Sequence, residues 1–139
     1  ERYIKSGEIN FIYKDFPLNG KLSIMASEAS YCAQKQNNYW QYHEKLYDNW
    51  GGENTGWITQ NVLTKFAKES ELNIEQFNLC MKNSEFRQKV LDNEQFAKGI
   101  NINATPSFLI FNDNEVYRII GAQPFEQFEL AFQELRTLG

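Results

Sequence analysis

A polar loop that meets a proline at the mouth of an apolar run does most to restrict what this chain can fold into. In Gly99-Ile100-Asn101-Ile102-Asn103-Ala104-Thr105-Pro106-Ser107-Phe108-Leu109-Ile110-Phe111, the apolar run Phe108–Phe111 begins two positions after Pro106. Proline has no N–H to give to a ladder, so Pro106 belongs at the first position of a strand or just before it. A Thr-Pro bond in so tight an entry is a candidate for the cis isomer, which is essentially confined to X-Pro bonds. Thr105, as the residue before proline, is biased toward extended geometry. Past the strand, Asn112-Asp113-Asn114 reads as a tight turn into a second strand, Glu115–Ile120, which makes the two antiparallel. Gly121 ends that strand. Pro124 then stands at the first position of a last helix with Phe125, Phe128, Phe132 and Leu135 on one stripe.

Upstream of the loop the chain reads mostly as helix. Glu1–Ser6 has the look of a final helical turn closed by Gly7 at C′. Glu8–Lys14 alternates Ile9, Phe11 and Tyr13 on one face, the pattern of a strand, and closes on Asp15-Phe16-Pro17-Leu18 and an Asn19-Gly20 turn. From Lys21 to about Gln36, Leu22, Met25, Ala26, Ala29, Cys32 and Ala33 recur at helical spacing and turn Cys32 inward. Tyr39–Trp50 is a second helix. Thr59 caps a third, with Val62, Leu63 and Phe66, and Asn73 caps a short fourth, with Gln76 in the capping-box place. Phe77, Cys80 and Met81 form the apolar side of that fourth helix. Ser84 is expected to open a longer helix with Phe86, Val90, Ala97 and Ile100.

Composition sets outer limits. A chain of 139 residues with 42% apolar and 15% aromatic residues has the material for one core rather than for disorder. A net charge of −4 disfavours nucleic acid, anionic membrane and acidic substrates as partners. No run of about 18 apolar residues is present to span a bilayer. The first residue is Glu1 rather than Met, so a processed or trimmed product is expected, and the lack of a visible secretory signal says nothing about compartment. Cys32 and Cys80 are the two cysteines and His43 the one histidine. No Cys-x-x-Cys or Cys/His cluster occurs, so no zinc site, other metal or cofactor is expected. Spacing alone leaves two possibilities for the cysteines: buried free thiols or a disulfide.

Five segments in order resemble the DsbA-like branch of the thioredoxin superfamily. Phe11-Ile12-Tyr13-Lys14-Asp15-Phe16-Pro17-Leu18 is similar to the strand and FPL ending of those proteins. Tyr39-Trp40-Gln41-Tyr42-His43-Glu44-Lys45-Leu46-Tyr47 is similar to their FW-x-x-H-x-x-L-[FY] helix, and Phe77-Asn78-Leu79-Cys80-Met81 to their F-x-x-C-L element. Ala104-Thr105-Pro106-Ser107-Phe108 resembles their TP-[ST]-F cis-proline motif, and Gly121-Ala122-Gln123-Pro124-Phe125 the start of their last helix. The resemblance implies a single α/β domain over residues 1–139, a thioredoxin-like fold. A helical insertion at about 21–98 would separate the strand at 8–14 from the strands at 107–120. The family's first strand and its Cys-x-x-Cys would lie upstream of Glu1, absent from this chain. That strand is central in the family sheet, so its loss would leave a gap near 10 Å, about two strand spacings. An upstream strand of the parent, or a second copy forming a homodimer, would be needed to close it.

The resemblance also implies a function. The parent would carry out thiol–disulfide exchange, forming or isomerising disulfides in extracytoplasmic proteins of the periplasm or cell envelope, with a membrane tether at the missing N-terminus. Its partners would be cysteine-containing polypeptides and a redox protein that reoxidises or reduces it, with no nucleic acid. Ala104, Thr105 and Pro106 would form the substrate-binding loop. Thr105 would face the reactive thiolate, which in the family is kept ionised at a helix N-terminus. Cys32 and Cys80 would form a structural disulfide. The alternative is a redox-inactive peptide-binding module of the same fold. His43 reads as a satisfied core or interface residue. Asp15 is either a solvated strand-end carboxylate, the favoured reading, or a buried group that tunes the dithiol. Trp40, Trp50, Trp57 and the phenylalanine stripe of the last helix are expected in the core, part of them lining an apolar groove.

Overall fold

The computed structural model describes residues 2–137. These contain seven helices and one two-stranded antiparallel sheet, in two compact units, residues 1–96 and 97–139. The first unit holds α1 (Arg2–Lys5), α2 (Lys21–Gln34), α3 (Tyr39–Asp48), α4 (Gln60–Glu69), α5 (Ile74–Lys82) and most of α6 (Arg87–Gly99). The second holds the end of α6, β1 (Ser107–Phe111), β2 (Val116–Ile120) and α7 (Phe125–Thr137). Among the described residues no helix is long and apolar enough to cross a membrane.

The apolar stripes of α2 to α5 converge on one core. Ala29 and Ala33 of α2 let the other helices approach closely, and Tyr42, Leu63 and Phe77 fill the space between them, each fully buried. Tyr42 reaches that position without orphaning its phenol, which donates to the Leu63 carbonyl at 3.0 Å.

Both predicted caps form. Thr59 Oγ1 accepts from the Val62 N–H at 3.2 Å, and Asn73 Oδ1 from the Gln76 N–H at 3.0 Å. The reciprocal half of the capping box comes from elsewhere. Gln36, just past α2, accepts the Asn73 N–H at 2.8 Å through Oε1 and donates to the Asn73 carbonyl at 3.2 Å through Nε2. One amide thus clasps both backbone groups of the cap and ties the end of α2 to the start of α5.

Several helices close in the same manner. After α2, α4, α5 and α6, a residue at positive φ (Asn37, Glu71, Ser84, Asn101) donates its N–H three residues back. The residue that follows donates five residues back, the two bonds of a Schellman motif. Ser84 is therefore the C′ residue of α5 (φ 50°) and not the start of the next helix, which begins at Arg87. A left-handed serine or glutamate costs about 1–2 kcal/mol more than glycine, and the two carbonyls satisfied at each end offset it.

Glu8–Lys14 is not a strand. The sheet formed by the described residues pairs only β1 with β2, from Ser107↔Ile120 to Phe111↔Val116. The alternation persists as burial only in part: Ile9 and Tyr13 are half-buried and Asp15 buried, and Asn10, Ile12 and Lys14 are exposed, but Phe11 of the expected inner face is exposed as well. Period two encodes a face; a ladder also requires a neighbouring backbone to pair with. In the hairpin, Asn112 Oδ1 accepts from the N–H groups of Asn114 and Glu115, both at 2.8 Å, which fixes the turn. Its Nδ2 donates to the Leu135 carbonyl at 2.8 Å and anchors the hairpin to α7. Phe108 meets Phe128 edge-on at 4.8 Å beneath the sheet.

Candidate functional site

The loop before β1 is held from both ends. Upstream, Asn101 and Ile102 bond back to Lys98 and Ala97 and end α6. Downstream, the Pro106 carbonyl accepts from the N–H of Gly121 at 2.8 Å, one pair beyond the β1–β2 ladder. Gly121 sits at φ 81°, a conformation that favours glycine. The Ser107 hydroxyl donates to the Ala104 carbonyl at 2.7 Å, closing the loop across its own turn. The Thr105–Pro106 peptide bond is cis. Among the described residues no backbone hydrogen bond is made by Thr105 or by the N–H of Ala104. Thr105 and Pro106 are exposed and Ala104 half-buried. The result is a short run of unsatisfied backbone donors and acceptors, rigidly presented beside the start of a sheet edge. Groups of this kind take an extended chain by strand addition.

Cys32 and Cys80 form a disulfide between α2 and α5, with Cα atoms 5.9 Å apart and each residue 1% exposed. Each lies on the apolar stripe of its helix, away from any helix N-terminus. No free thiol remains in the chain. These sulfurs belong to the core and not to an exposed reactive centre.

A second cluster, confined to the first unit, surrounds Asp15 and His43. Tyr39, His43 and Tyr47 recur every fourth residue and form one row on α3. His43 lies 4.7 Å from Tyr13 (centroid to centroid), 5.7 Å from Tyr39, 5.5 Å from Trp40 and 4.5 Å from Tyr47. Burial lowers its pKa, and the charges of Asp15 and Glu44 oppose that. Tyr13 and Tyr47 share a hydroxyl–hydroxyl hydrogen bond of 2.9 Å. Burial first, then that bond, raise the Tyr13 pKa far above the tyrosine range. Tyr39 is raised by burial and then by the charge of Asp15.

Asp15 is buried at 8% exposure, and its Oδ2 has no hydrogen-bond partner. The favoured reading of a solvated carboxylate is therefore wrong. Burial raises its pKa, while the hydroxyls of Tyr31 and Ser27 and the charge of His43 act in the other direction. Behind Tyr31, Asn93 Nδ2 donates to the phenol oxygen at 2.8 Å, and Lys14 Nζ donates to Asn93 Oδ1 at 3.4 Å. The chain of donors runs from Lys14 inward, so Tyr31 keeps its own proton for an acceptor.

The sequence reading also misplaced two tryptophans. Trp40 is 49% exposed and Trp50 63% exposed, while Trp57 packs on the core edge; of the phenylalanine stripe of α7, Phe128 and Phe132 are half-buried and Phe125 is exposed. The signal for the cluster was the 39–43–47 row, which places three rings against whatever covers that face of α3. Among the described residues no group of His, Cys, Asp and Glu has the geometry to hold a metal.

Comparison with known proteins bears on the whole chain. The family described as Thioredoxin matches residues 1–133. A "Probable disulfide bond formation protein D" of Bacillus anthracis is 28% identical over 115 residues, covering 79% of this chain and 52% of that protein. The protein of the same name from Bacillus cereus is 27% identical over 115 residues, with 79% and 53% covered. "Disulfide bond formation protein D" of Bacillus subtilis is 26% identical over 117 residues, with 82% and 52% covered. The chain thus spans about half the length of the curated relatives it matches. With the family match covering nearly all of it, and a helical block followed by a hairpin and a closing helix as its architecture, the chain belongs to the thioredoxin family, as a DsbA-like member.

Proposed function

We propose that this chain is the substrate-holding part of a thiol–disulfide oxidoreductase, and that the loop Ala104-Thr105-Pro106 receives the backbone of a cysteine-containing polypeptide. The observation that carries this reading is the exposed Thr105, whose backbone N–H and carbonyl pair with no other backbone group, together with the unpaired N–H of half-buried Ala104, beside β1. The relatives' names, which refer to disulfide bond formation, support the reaction class. Residues 1–139 are read as one domain of a longer protein, with the reactive Cys-x-x-Cys supplied outside them, since both cysteines here are already bonded.

In that protein, a substrate thiolate attacks one sulfur of the active disulfide and displaces the other as a thiolate, giving a mixed disulfide. A second substrate thiolate then attacks the substrate sulfur of that bond. The substrate leaves oxidised, and the enzyme keeps two electrons and two protons as a dithiol. A separate redox partner returns the dithiol to the disulfide. Pairing of two copies is not part of the reading. Thr105 would set the depth and direction of the bound chain, bringing its cysteine to the reactive sulfur. The work is done outside the cytoplasm, where a structural disulfide such as Cys32–Cys80 persists.

A second reading, a redox-inactive peptide-binding module, rests on the same exposed Thr105 backbone, which would hold an extended peptide without exchange. One experiment separates them. The longer protein, assayed for oxidation of a model dithiol peptide, is expected to turn over. The same protein with both Cys-x-x-Cys cysteines changed to serine should bind the peptide without oxidising it. No turnover by the longer protein, with peptide binding retained at Ala104 and Thr105, would establish the binding module. Loss of both would remove the loop assignment.

A further inference from the structure

Where α4 lies against α5, an open groove of about 680 Å³ is lined by Gln60, Asn61, Thr64, Lys65, Lys68, Asn78, Met81 and Lys82. Three of these are lysines and none is a carboxylate, in a chain that is acidic overall. Helical spacing explains the arrangement. Gln60, Thr64 and Lys68 form one i,i+4 row on α4, Asn61 and Lys65 the adjoining row, and Asn78 and Lys82 face them from α5. Lys68 and Lys82 make no ion pair among the described residues. Lys65 approaches only Glu69, at 3.7 Å, and Glu69 also meets Lys45 at 3.3 Å.

The hydrogen bonds along the floor have a direction. Gln60 Nε2 donates to Thr64 Oγ1 at 3.3 Å, and the Thr64 hydroxyl donates on to Asn78 Oδ1 at 3.1 Å. With its oxygen occupied, Asn78 presents its NH₂ to the groove. On the α5 side the groove is thus lined by two donors, the Asn78 amide left free by this relay and the Lys82 ammonium, which takes no part in it. The overall net charge of −4 does not override this, because charges beyond a Debye length of about 10 Å are screened at ordinary ionic strength.

We propose that this groove binds a multiply charged, phosphate-bearing anion, with Lys65, Lys68 and Lys82 meeting its charge and the Asn78 amide donating to an oxygen. The volume exceeds what a single carboxylate fills. Ammonium groups arriving from two helices suit several phosphate oxygens at different angles, since lysine binds phosphate as a movable point charge. Nothing in the thiol-exchange reading requires or predicts this site.

The test is a calorimetric titration of the chain, disulfide intact, with inorganic tripolyphosphate at an ionic strength of about 0.1 M, followed by amide chemical shifts. Saturable binding is expected, with shifts concentrated at residues 60–68 and 78–82. It should weaken about tenfold in K65Q/K68Q/K82Q, the sum of three modest exposed contacts, and severalfold in N78D, at unchanged thermal midpoint. Vesicles containing cardiolipin, whose headgroup carries two phosphates, against vesicles of phosphatidylcholine alone distinguish a lipid headgroup from a soluble phosphate. Retention by the anionic vesicles alone, lost in the triple variant, supports the proposal with the headgroup as its source. Equal affinity in wild type and triple variant for both probes, or no saturable binding of either, overturns it.

Discussion

Replacing both half-cystines with alanine tests how much of the helical unit rests on its crosslink. Cys32 and Cys80 are 48 residues apart in sequence and join α2 to α5 across the core. Closing a loop of that length removes chain entropy from the unfolded state worth about 4 kcal/mol at 25 °C. Both residues are 1% exposed, so each Cys→Ala change also deletes a packed sulfur, at about 1 kcal/mol apiece. The sum, about 6 kcal/mol, is a large part of the 5–15 kcal/mol that a domain typically has. For a chain of this size the melting midpoint of C32A/C80A should fall by about 15–20 °C. Thermal unfolding followed by far-UV circular dichroism measures it, with two-state behaviour checked by a second probe. Wild type melted in reductant keeps the sulfurs and loses only the bond, so it should lie between the two, about two thirds of the way to the double variant. A drop under about 5 °C in C32A/C80A would refute the reasoning, because the unfolded chain would then gain little freedom from losing the crosslink.

Three further outcomes follow from other parts of the structure. Asp15 has a folded pKa raised by burial, so its folded state binds more protons than the unfolded state above the ordinary aspartate range, and stability falls as pH rises through that window. D15N should melt higher than wild type at pH 7, with the gap closing below about pH 4, where Asp15 is protonated in both states; a gap independent of pH would show that packing rather than charge is responsible. Glu28 is 3% exposed and takes two bonds from Arg87, at 3.0 Å from Nε and 2.9 Å from Nη2. R87A leaves that carboxylate unpaired and should cost about 1–3 kcal/mol in urea unfolding, the lower end reflecting an arginine half open to solvent. N73A removes the acceptor for the Gln76 N–H but leaves the Gln36 clasp on the backbone, so denaturant midpoints should report a loss of about 1 kcal/mol and no more.

What the sequence made legible was chiefly local. The stripes of α2, α4 and α5 placed Cys32, Leu63, Phe66 and Phe77 inside, and Thr59 and Asn73 capped where their side chains can reach their own helix. Ser84 failed for an equally local reason. Serine is common before a helix, and nothing in its chemistry announces the left-handed turn that the Met81 and Cys80 carbonyls at the end of α5 hold in place. Gln76 failed because Gln36, forty positions earlier, satisfies the same cap. The strand at 8–14 failed because alternation fixes a face and a ladder needs a partner. Asp15 was misread because its burial comes from α2 and α3 folding over it, as the rings of Tyr31, Tyr39 and His43 show. The loop at Pro106 was the most legible candidate site, since a proline before an apolar run limits backbone choices without help from distant residues.

The structure of a trapped mixed disulfide tests the central claim most directly. In the longer protein, with the resolving cysteine of its Cys-x-x-Cys changed to serine, a substrate peptide linked to the remaining cysteine is expected to run antiparallel or parallel along Thr105. Its backbone should pair with the free N–H and carbonyl of Thr105 at about 2.7–3.2 Å. A peptide covalently bound at the cysteine but making no backbone hydrogen bond to Ala104 or Thr105 would contradict the account.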